Sequence, residues 1–181
     1  HNSGCASMGY DLPAAIGAWK FSNKRVICIA GDGSISQNIQ ELSLVSAEKM
    51  DIKIFILNND GYHSIRQTQQ NFFGRFIGCG PDSNLYFPEY KKIAEAHSIK
   101  YFEVRKNKEL NQSINNVLAT DEPVICEIFM DKQQTFEPKV SSFRDENGNI
   151  FSRPLEDQSP FLERDELKEL MFIDLVKESI E

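Results

Sequence analysis

Size, composition and charge exclude several classes of protein. The chain has 181 residues, of which 40% are hydrophobic and 26% are charged, with a formal net charge of −7. This length allows one well-buried domain with an appended tail, and the composition is ordinary for a globular protein. The acidic charge is spread over many segments, which argues against nucleic-acid binding because that needs clustered Lys and Arg. No apolar run approaches the ~20 residues that span a bilayer, so we expect neither a nucleic-acid nor a membrane partner.

Cysteine usage indicates the compartment. The cysteines, Cys5, Cys28, Cys79 and Cys126, lie far apart and form no CxxC pair. This spacing disfavours zinc ligation and implies no disulfide framework. We therefore expect a reducing, cytoplasmic setting.

A helix, a buried strand and a second helix are predicted at the start of the chain. Residues 12–19 are Ala-rich, and their apolar side chains fall on one helical face. Residues 25–30 form a β-branched apolar run without alternation, as expected for a strand covered on both faces. Another helix is predicted over residues 35–49, and Ser34 and Gln37 have the spacing of a capping box at its start.

Strands continue to alternate with helices further along the chain. After a polar-aromatic stretch that ends near Phe87, the remaining elements repeat the same pattern. Further strands are predicted over residues 52–57, 101–104 and 124–130, and further helices over residues 90–96 and 110–118. Alternation at this spacing predicts βαβ units, and hence an α/β fold with a doubly wound, mostly parallel sheet and helices on both faces.

The character of the sequence changes after Asp131. Residues 132–160 are polar and show no periodic pattern, whereas residues 163–176 have apolar side chains at helical spacing. We predict a domain core over residues 1–131 and an extended C-terminal arm with a helix over residues 132–181. The arm would pack on a neighbouring domain or subunit, and a partly disordered end is the alternative.

Two polar clusters follow the first two predicted strands, at Gly31–Ser34 and at Asn58–Gly61. Ligands of open α/β sheets bind outside the carboxyl ends of the strands, so adjacent parallel strands would bring both clusters to one crevice. Asp32 supplies a carboxylate and the Asn pair an amide oxygen, and both suit Mg²⁺ that takes further ligands from phosphates. Gly31 and Gly33 would let the backbone approach closely, and the following helix would direct its N-terminal amides at an anion. Each cluster alone is an ordinary turn, but the two together predict a metal-diphosphate site.

These residues resemble the diphosphate motif of thiamine-diphosphate enzymes, in which GDG is followed further along by NN. Gly31–Ile35 with Asn38–Ser43 is similar to the corresponding segment of bacterial acetolactate synthase. Ser7–Tyr10 with Leu12–Gly17 resembles the segment that this family places against the aminopyrimidine ring of the cofactor. The resemblance covers about residues 3–130. It implies the thiamine-diphosphate-binding fold and the C-terminal, diphosphate-binding domain of an acetolactate-synthase-like protein.

Carried over position by position, the resemblance implies a set of site residues. Asp32 and Asn59 would ligate Mg²⁺ through their side chains, and Gly61 through its backbone carbonyl. Gly33 and Ser34 would contact the diphosphate. The implied cofactor-binding set, in which the first two residues meet the aminopyrimidine ring through their backbones, is Ala6, Met8, Gly31, Asp32, Gly33, Ser34 and Asn59.

The resemblance also implies an activity and partners. In such enzymes the thiazolium carbon of the cofactor attacks a 2-oxoacid such as pyruvate, carbon dioxide is lost, and the resulting carbanion adds to a second carbonyl. A glutamate from a separate pyrimidine-binding domain, normally of a second subunit, activates the cofactor, and acetolactate synthases carry FAD on a middle domain. The chain begins at His1 in a polar turn and contains neither domain. We therefore expect a piece of a longer homodimer or homotetramer that is catalytically inert alone.

Several positions depart from the acetolactate synthase pattern. Gln37, Ser64 and Thr68 stand where that family usually has Met, Met and Trp beside the thiazolium and the substrate, and Asp11 replaces a residue that is usually Gly. Residues 61–69 look more like another carboligase, such as glyoxylate carboligase. These departures leave the acceptor specificity open between the two kinds of enzyme.

Three further features have alternative interpretations. His63 is a candidate proton donor, with a structural histidine as the default. Arg66 would pair either with a substrate carboxylate or with a surface acid. The aromatic residues Phe72, Phe73 and Phe76 would close over the site or bury against the pyrimidine-binding partner, and we favour the partner.

Other classes of protein remain as alternatives. One alternative is that the chain is the small cofactor subunit of a two-subunit decarboxylase. Another is that it is a non-catalytic binding module that kept the fold. The retained pair of Asp32 and Asn59 argues against such a module. A plain nucleotide-binding Rossmann domain is disfavoured because no GxGxxG follows a strand.

Overall fold

The computed structural model describes residues 1, 5–144 and 146–179, with the side chain of Glu178 left out. The chain divides into two compact units, His1–Gln134 and Thr135–Glu181. The first unit contains both polar clusters and every predicted site residue.

The first unit is built on a four-stranded parallel sheet with the strand order β1-β2-β4-β3. The strands are β1 (Val26–Gly31), β2 (Ile52–Asn58), β3 (Lys100–Val104) and β4 (Val124–Phe129). The two central strands are β2 and β4, and most of their residues are buried. Continuous β-branched sequence forms these strands because the side chains on both of their faces are covered.

Helices pack on both faces of the sheet. Three of them, α1 (Asp11–Ser22), α3 (Leu42–Ala47) and α5 (Tyr90–Ala96), share one apolar cluster with alternate side chains of β1 and β2. On the opposite face α6 (Asn107–Leu118) packs against β3 and β4. The structure therefore confirms the doubly wound α/β fold predicted from the sequence.

The predicted helix over residues 35–49 is broken into three pieces, so this prediction was wrong in its continuity. The chain forms α2 (Asp32–Ile35), a 3₁₀ helix (Ser36–Glu41) and then α3. The interruption lies at Asn38, whose φ of −130° and ψ of 34° are not helical. The Asn38 side chain donates a hydrogen bond of 2.6 Å to the carbonyl of Gly9, which offers that side chain a partner outside the helix.

One helix of the first unit escaped prediction. The polar-aromatic stretch after the second polar cluster begins with α4 (His63–Phe73), which ends at Gly74 with a left-handed φ of 62°. The helix has only three apolar residues, Ile65, Phe72 and Phe73. They lie on one face, but six polar residues in succession separate the first from the other two, so the apolar stripe is too sparse to mark a helix. Its C-terminal glycine follows the usual helix-ending pattern.

The second unit is more ordered than the predicted extended arm. It contains two antiparallel pairs, β5 (Lys139–Val140) with β8 (Gln158–Ser159), and β6 (Ser142–Arg144) with β7 (Ile150–Ser152). Strands of two or three residues are too short to give an alternating pattern, which is why the sequence did not reveal them. The predicted helix over residues 163–176 is confirmed only as α7 (Arg164–Leu170).

A buried carboxylate anchors the second unit. Asp157 accepts hydrogen bonds of 2.8 Å from both Arg153 and Arg164, and these guanidinium partners hold the pKa of Asp157 below its usual range. These charge-assisted hydrogen bonds fix the loop that carries Asp157.

Two further sequence expectations concern membranes and cysteines. Within residues 1, 5–144 and 146–179, no helix is both long and apolar enough to cross a membrane. All four cysteines are free: Cys5 is exposed, and Cys28, Cys79 and Cys126 are buried. Burial raises the pKa of Cys28 to about 12 and that of Cys126 to about 11, so both thiols stay protonated at neutral pH.

Candidate functional site

The two polar clusters meet at the carboxyl edge of the sheet. Below, Gly31–Ser34 is called the first loop and Asn58–Gly61 the second loop. They follow neighbouring strands, because Gly31 of β1 is the register partner of Leu57 in β2. The backbone N–H of Gly61 donates a hydrogen bond of 2.9 Å to Oδ2 of Asp32, which joins the two loops directly.

Asp32 is the buried carboxylate of this site. Its side chain is 1% exposed, and Oδ1 accepts a second hydrogen bond of 2.9 Å from the N–H of Gly33. Burial raises the pKa of Asp32, and the amides of Gly61 and Gly33 offset only part of that effect. A cation beside the carboxylate would favour its charged form, so the environment suits a metal ligand.

Asn59 supplies the second oxygen. Its Oδ1 is buried and has no hydrogen-bond partner within the described part of the chain. Leaving such an acceptor unsatisfied costs about 1–3 kcal/mol, so each case in a native structure needs an explanation. A bound cation provides one, because an amide oxygen is an ordinary ligand of Mg²⁺.

The donor set has few protein groups. No cluster of three or more His, Cys, Asp and Glu side chains suited to a metal occurs among the residues that the structure describes. One carboxylate and one amide oxygen match a cation that takes its remaining ligands from a bound phosphate. The residues present therefore fit Mg²⁺ that is held together with a diphosphate.

Two glycines allow the loops to pack closely. A Cβ on Gly33 would lie 2.3 Å from the ring of Tyr62, which packs edge-on against Phe87 with ring centroids 5.5 Å apart. A Cβ on Gly61 would lie 2.0 Å from the carbonyl oxygen of Cys79, and the φ of Gly61 is 148°. A side chain at position 33 would therefore have to displace the Tyr62 ring, whereas at position 61 both a backbone contact and the backbone conformation require glycine.

Arg66 holds the second loop from outside. Its guanidinium donates hydrogen bonds of 3.0 Å to the carbonyl of Asn59, 2.7 Å to that of Asp60 and 3.3 Å to that of Cys79. Both interpretations offered for Arg66 from the sequence, a substrate partner and a surface ion pair, are therefore replaced by a backbone clamp. The planar fork of donors explains why arginine suits three carbonyls at once.

The first loop runs directly into α2, which places the amides of Gly33 and Ser34 in the first helical turn. The N–H of Gly33 already donates to Oδ1 of Asp32, so the amide of Ser34 is the group that this end of the helix offers to an anion. The backbone carbonyl of Asp32 accepts hydrogen bonds from the hydroxyls of Tyr90 at 2.6 Å and Ser36 at 2.9 Å. Tyr90 is fully buried, and its role could not be read from the sequence because it lies in a helix remote from the motif.

Ser34 links the first loop to the segment before α1. Its hydroxyl oxygen accepts a hydrogen bond of 2.9 Å from the N–H of Gly9 and donates to the carboxylate of Asp11. The predicted capping box is therefore absent, because the Ser34 side chain bonds to other partners and α2 has no side-chain cap. The hydroxyl proton is directed to Asp11, which leaves the backbone amide of Ser34 as the group for an anion.

The segment before α1 borders the same region. A groove of about 520 Å³ runs between α1 and the edge strand β1, and Ala6, Met8, Gly31 and Ser34 all line it. Ala6 has a left-handed φ of 48°. Four members of the implied cofactor-binding set thus share one surface, whereas Asp32, Gly33 and Asn59 lie at the loops.

The remaining sequence candidates occupy distinct positions. His63 is buried as the first residue of α4, next to the second loop. Ser64 and Thr68 are exposed four residues apart on α4, so they share one side of that helix. Gln37 lies beside Gly9, because a Cβ built on Gly9 would come within 3.0 Å of the Gln37 Cβ.

The fold and the two loops define an α/β domain of the kind that binds a phosphate-bearing ligand at the carboxyl edge of its sheet. Residues 1–128 match the family model described as "Thiamine pyrophosphate enzyme, C-terminal TPP binding domain". The chain belongs to this family, which confirms the resemblance drawn from its motifs.

Curated relatives and a solved structure agree with this family. The chain is 34% identical over 144 residues to the acetolactate synthase large subunit of Cyanidium caldarium, covering 77% of this chain and 24% of that protein. It is 32% identical over 141 residues to the acetolactate synthase isozyme 2 large subunit of Escherichia coli (strain K12), covering 77% and 25%.

The fold is similar to that of a thiamine diphosphate-dependent 4-hydroxybenzoylformate decarboxylase from Rhodococcus jostii RHA1. The TM-score is 0.62 at 26% identity, over 71% of this chain and 24% of that chain. The chain thus spans about a quarter of the length of the relatives that it matches.

Proposed function

We propose that this chain is the diphosphate- and magnesium-binding domain of a thiamine-diphosphate-dependent 2-oxoacid decarboxylase or carboligase of the acetolactate synthase type. The observation that carries the proposal is the pairing of the buried carboxylate of Asp32 with the buried, unsatisfied Oδ1 of Asn59 on two joined loops. Family membership supports thiamine diphosphate as the phosphate-bearing ligand.

Each group at the site has a proposed task. Asp32, Asn59 and the carbonyl of Gly61 hold Mg²⁺. The amide of Ser34 holds the diphosphate, and Gly31 and Gly33 let it approach the backbone. The backbones of Ala6 and Met8 meet the aminopyrimidine ring. When bound, thiamine diphosphate supplies the electron sink for decarboxylation and carbon–carbon bond formation. Joining the loops before the cofactor arrives reduces the ordering cost of binding.

We assign cofactor binding to residues 1–131 and place its activating partner in a pyrimidine-binding domain of a second subunit. That partner would contact three exposed apolar side chains at the end of α4 and just beyond it, those of Phe73, Phe76 and Ile77. The complete protein would be a cytoplasmic homodimer or homotetramer, with FAD on a middle domain. The isolated chain is then inert, and pyruvate turnover by the 181 residues alone would contradict this assignment.

A second candidate is another carboligase or decarboxylase of the family, such as a glyoxylate-carboligase-like enzyme. The small polar residues Ser64 and Thr68 on the exposed side of α4 support it, because they stand where acetolactate synthases usually carry larger side chains. The similarity to a decarboxylase structure also supports it. His63 as a proton donor belongs to either candidate. Product analysis of the complete protein with pyruvate alone and with added aldehydes separates the two.

The binding proposal is tested by Asp32→Ala in the complete protein. Calorimetric titration with thiamine diphosphate should give Mg²⁺-dependent binding for the unchanged protein and a loss of at least about 100-fold for the variant, because the charged ligand is gone. Asp82→Ala is the matched control, since Asp82 is exposed. Unimpaired binding by Asp32→Ala would place the cation elsewhere. Absence of binding by the unchanged protein would favour a non-catalytic module.

A further inference from the structure

A chain of three hydrogen-bonded side chains, with a buried carboxylate at its centre, lies behind the second loop. It consists of Tyr101 on β3, Glu127 on β4 and Asn58 at the end of β2, and below it is called the three-strand relay. The Tyr101 hydroxyl donates a hydrogen bond to Oε2 of Glu127, and Nδ2 of Asn58 donates one to Oε1. Glu127 is 4% exposed. These contacts connect three adjacent strands beneath the loop.

Register explains how the three side chains meet. Glu127 pairs with Ile56 across β2, and Ile56 and Asn58 are two residues apart, so Asn58 and Glu127 are on the same face of the sheet. Tyr101 is on that face as well, because Glu103, two residues further along β3, pairs with Glu127. The relay is therefore built into the strand pairing.

The relay ends on the backbone of the second loop. Oδ1 of Asn58 accepts a hydrogen bond of 2.8 Å from the N–H of Asp60. Asp60 has a left-handed φ of 57°, a conformation that aspartate adopts more readily than most residues and that this hydrogen bond stabilises. Asn59 lies between the two bonded residues, so this contact fixes the turn that carries it.

A carboxylate is a costly choice for the middle of the relay. In the described part of the chain, Glu127 is held by the two neutral donors of Tyr101 and Asn58. The exposed Arg105 guanidinium interacts with Glu127 electrostatically but donates no hydrogen bond to it. Burying a charge without a directly bonded cation is unfavourable, and an apolar side chain would fill the space at lower cost. A carboxylate only accepts hydrogen bonds, however, so it makes Asn58 present its N–H₂ group to Glu127 and its carbonyl oxygen to Asp60.

We propose that Glu127, supported by Tyr101, is a positioning residue that sets the magnesium affinity of the second loop by fixing the orientation of the Asn58 amide. It touches neither substrate nor cofactor, and it acts through Asn58 on the turn at Asn59. This inference rests on the proposed function, because it assigns a task to groups behind the proposed cation ligands.

The test uses Glu127→Ala, Tyr101→Phe and Glu127→Gln in the complete protein, with two measurements. The first is hydrogen exchange of the peptide that contains the Asp60 amide, without cofactor. The second is the Mg²⁺ concentration that half-saturates thiamine diphosphate binding. Glu127→Ala should expose the Asp60 amide and raise the half-saturating Mg²⁺ concentration about tenfold, which corresponds to losing one modest hydrogen-bonded constraint.

The other two variants should raise the half-saturating Mg²⁺ concentration less than Glu127→Ala does. Tyr101→Phe removes one of the two donors to Glu127 and should raise the half-saturating Mg²⁺ concentration about threefold, on the same scale of hydrogen-bond strength. Glu127→Gln keeps an acceptor for Asn58 and should restore affinity to within about twofold of the unchanged protein. Tyr101→Phe also keeps the test open if Glu127→Ala does not fold.

The matched control is Cys126→Ala, which removes a buried thiol from the neighbouring position of β4, on the opposite face of the sheet. It should lower stability without changing exchange at Asp60 or the Mg²⁺ requirement. Unchanged exchange in Glu127→Ala, or increased exchange with unchanged Mg²⁺ half-saturation, would overturn the positioning role while the proposed function stands. No thiamine diphosphate binding by the unchanged protein at any Mg²⁺ concentration would overturn both.

Discussion

The two loops of the site reach the same place by different physical means. The first loop enters α2 at once, so ordinary helical geometry fixes most of its backbone. The second loop contains two consecutive residues with positive φ, Asp60 and Gly61, and is held by side chains from outside, including Arg66. The first loop should therefore tolerate substitution better than the second, which depends on a few contacts. Substitutions in the two loops should differ in how much stability they remove.

The largest effect is expected from Gly61→Ala. The new Cβ would meet a backbone oxygen that cannot move aside, at a φ that alanine rarely adopts, so we expect a loss of about 4 kcal/mol of stability or failure to fold. Gly33→Ala is the matched change in the first loop. Its Cβ would meet the ring of Tyr62, a side chain that can shift, so we expect only about 1–2 kcal/mol. Equal losses in denaturant unfolding would contradict the contrast between the loops.

Arg66→Ala should follow in size. It removes the donors to two carbonyls of the second loop and to the carbonyl of Cys79, and we expect about 2 kcal/mol of destabilisation together with weaker Mg²⁺-dependent binding of thiamine diphosphate. Arg66→Lys should rescue little, because a single ammonium group cannot reproduce the planar fork. Arg75→Ala is the control, since Arg75 is exposed just beyond α4. Full rescue by lysine in unfolding experiments would count against the clamp.

A smaller effect is expected from Tyr90→Phe. The variant removes the hydroxyl that bonds to the carbonyl of Asp32, but Ser36 still donates to the same oxygen. We therefore expect about 1 kcal/mol of destabilisation and little change in hydrogen exchange at the second loop. Tyr86→Phe provides the comparison, because Tyr86 is exposed and should tolerate the change. Strong exchange at Asp60 in Tyr90→Phe would mean that the loops share their support.

The smallest effect is a gain. Asp11→Asn removes a negative charge next to Ser34 and weakens the hold on its hydroxyl, so a diphosphate at the first turn of α2 should bind more tightly. We expect an increase in thiamine diphosphate affinity of about threefold at low ionic strength, shrinking as salt is added. Asp82→Asn, at an exposed position, should leave affinity unchanged. Weaker binding in Asp11→Asn would show that Asp11 supports the site.

Much of the fold was predictable because its strands carry their own signal. The β-branched runs of β2 and β4 predict buried parallel strands, and the helices between the strands follow from chain alternation. The similar run of β1 was wrongly expected to be covered on both faces, because β1 is an edge strand on which Ile27 and Ile29 are exposed. The break at Asn38 was missed because it depends on a contact to Gly9, and the helix α4 was missed because its apolar residues are too few to mark it.

The site also contains residues that the sequence predicts and residues that it does not. The motif residues Asp32 and Asn59 follow strands directly, so local sequence points to them. Tyr90, Tyr101 and Glu127 lie in distant elements and contact the loops only after the sheet has formed, and no short motif marks them. Asp11 shows the reverse case, because its departure from the family pattern was visible and its contact with Ser34 was not.

The free cysteines make the contrast between the loops measurable without any substitution. Cys5 is exposed near the predicted aminopyrimidine contacts and should react with an alkylating reagent at once, with cofactor slowing that reaction. Cys79 is 2% exposed and its carbonyl accepts from the N–H of Tyr62, so its labelling requires the second loop to open. Cys28 lies within β1 and its side chain is in the apolar cluster beneath the helices, so it becomes available only when those helices leave the sheet. The alkylation rates of the three thiols therefore report three levels of structural opening in one molecule.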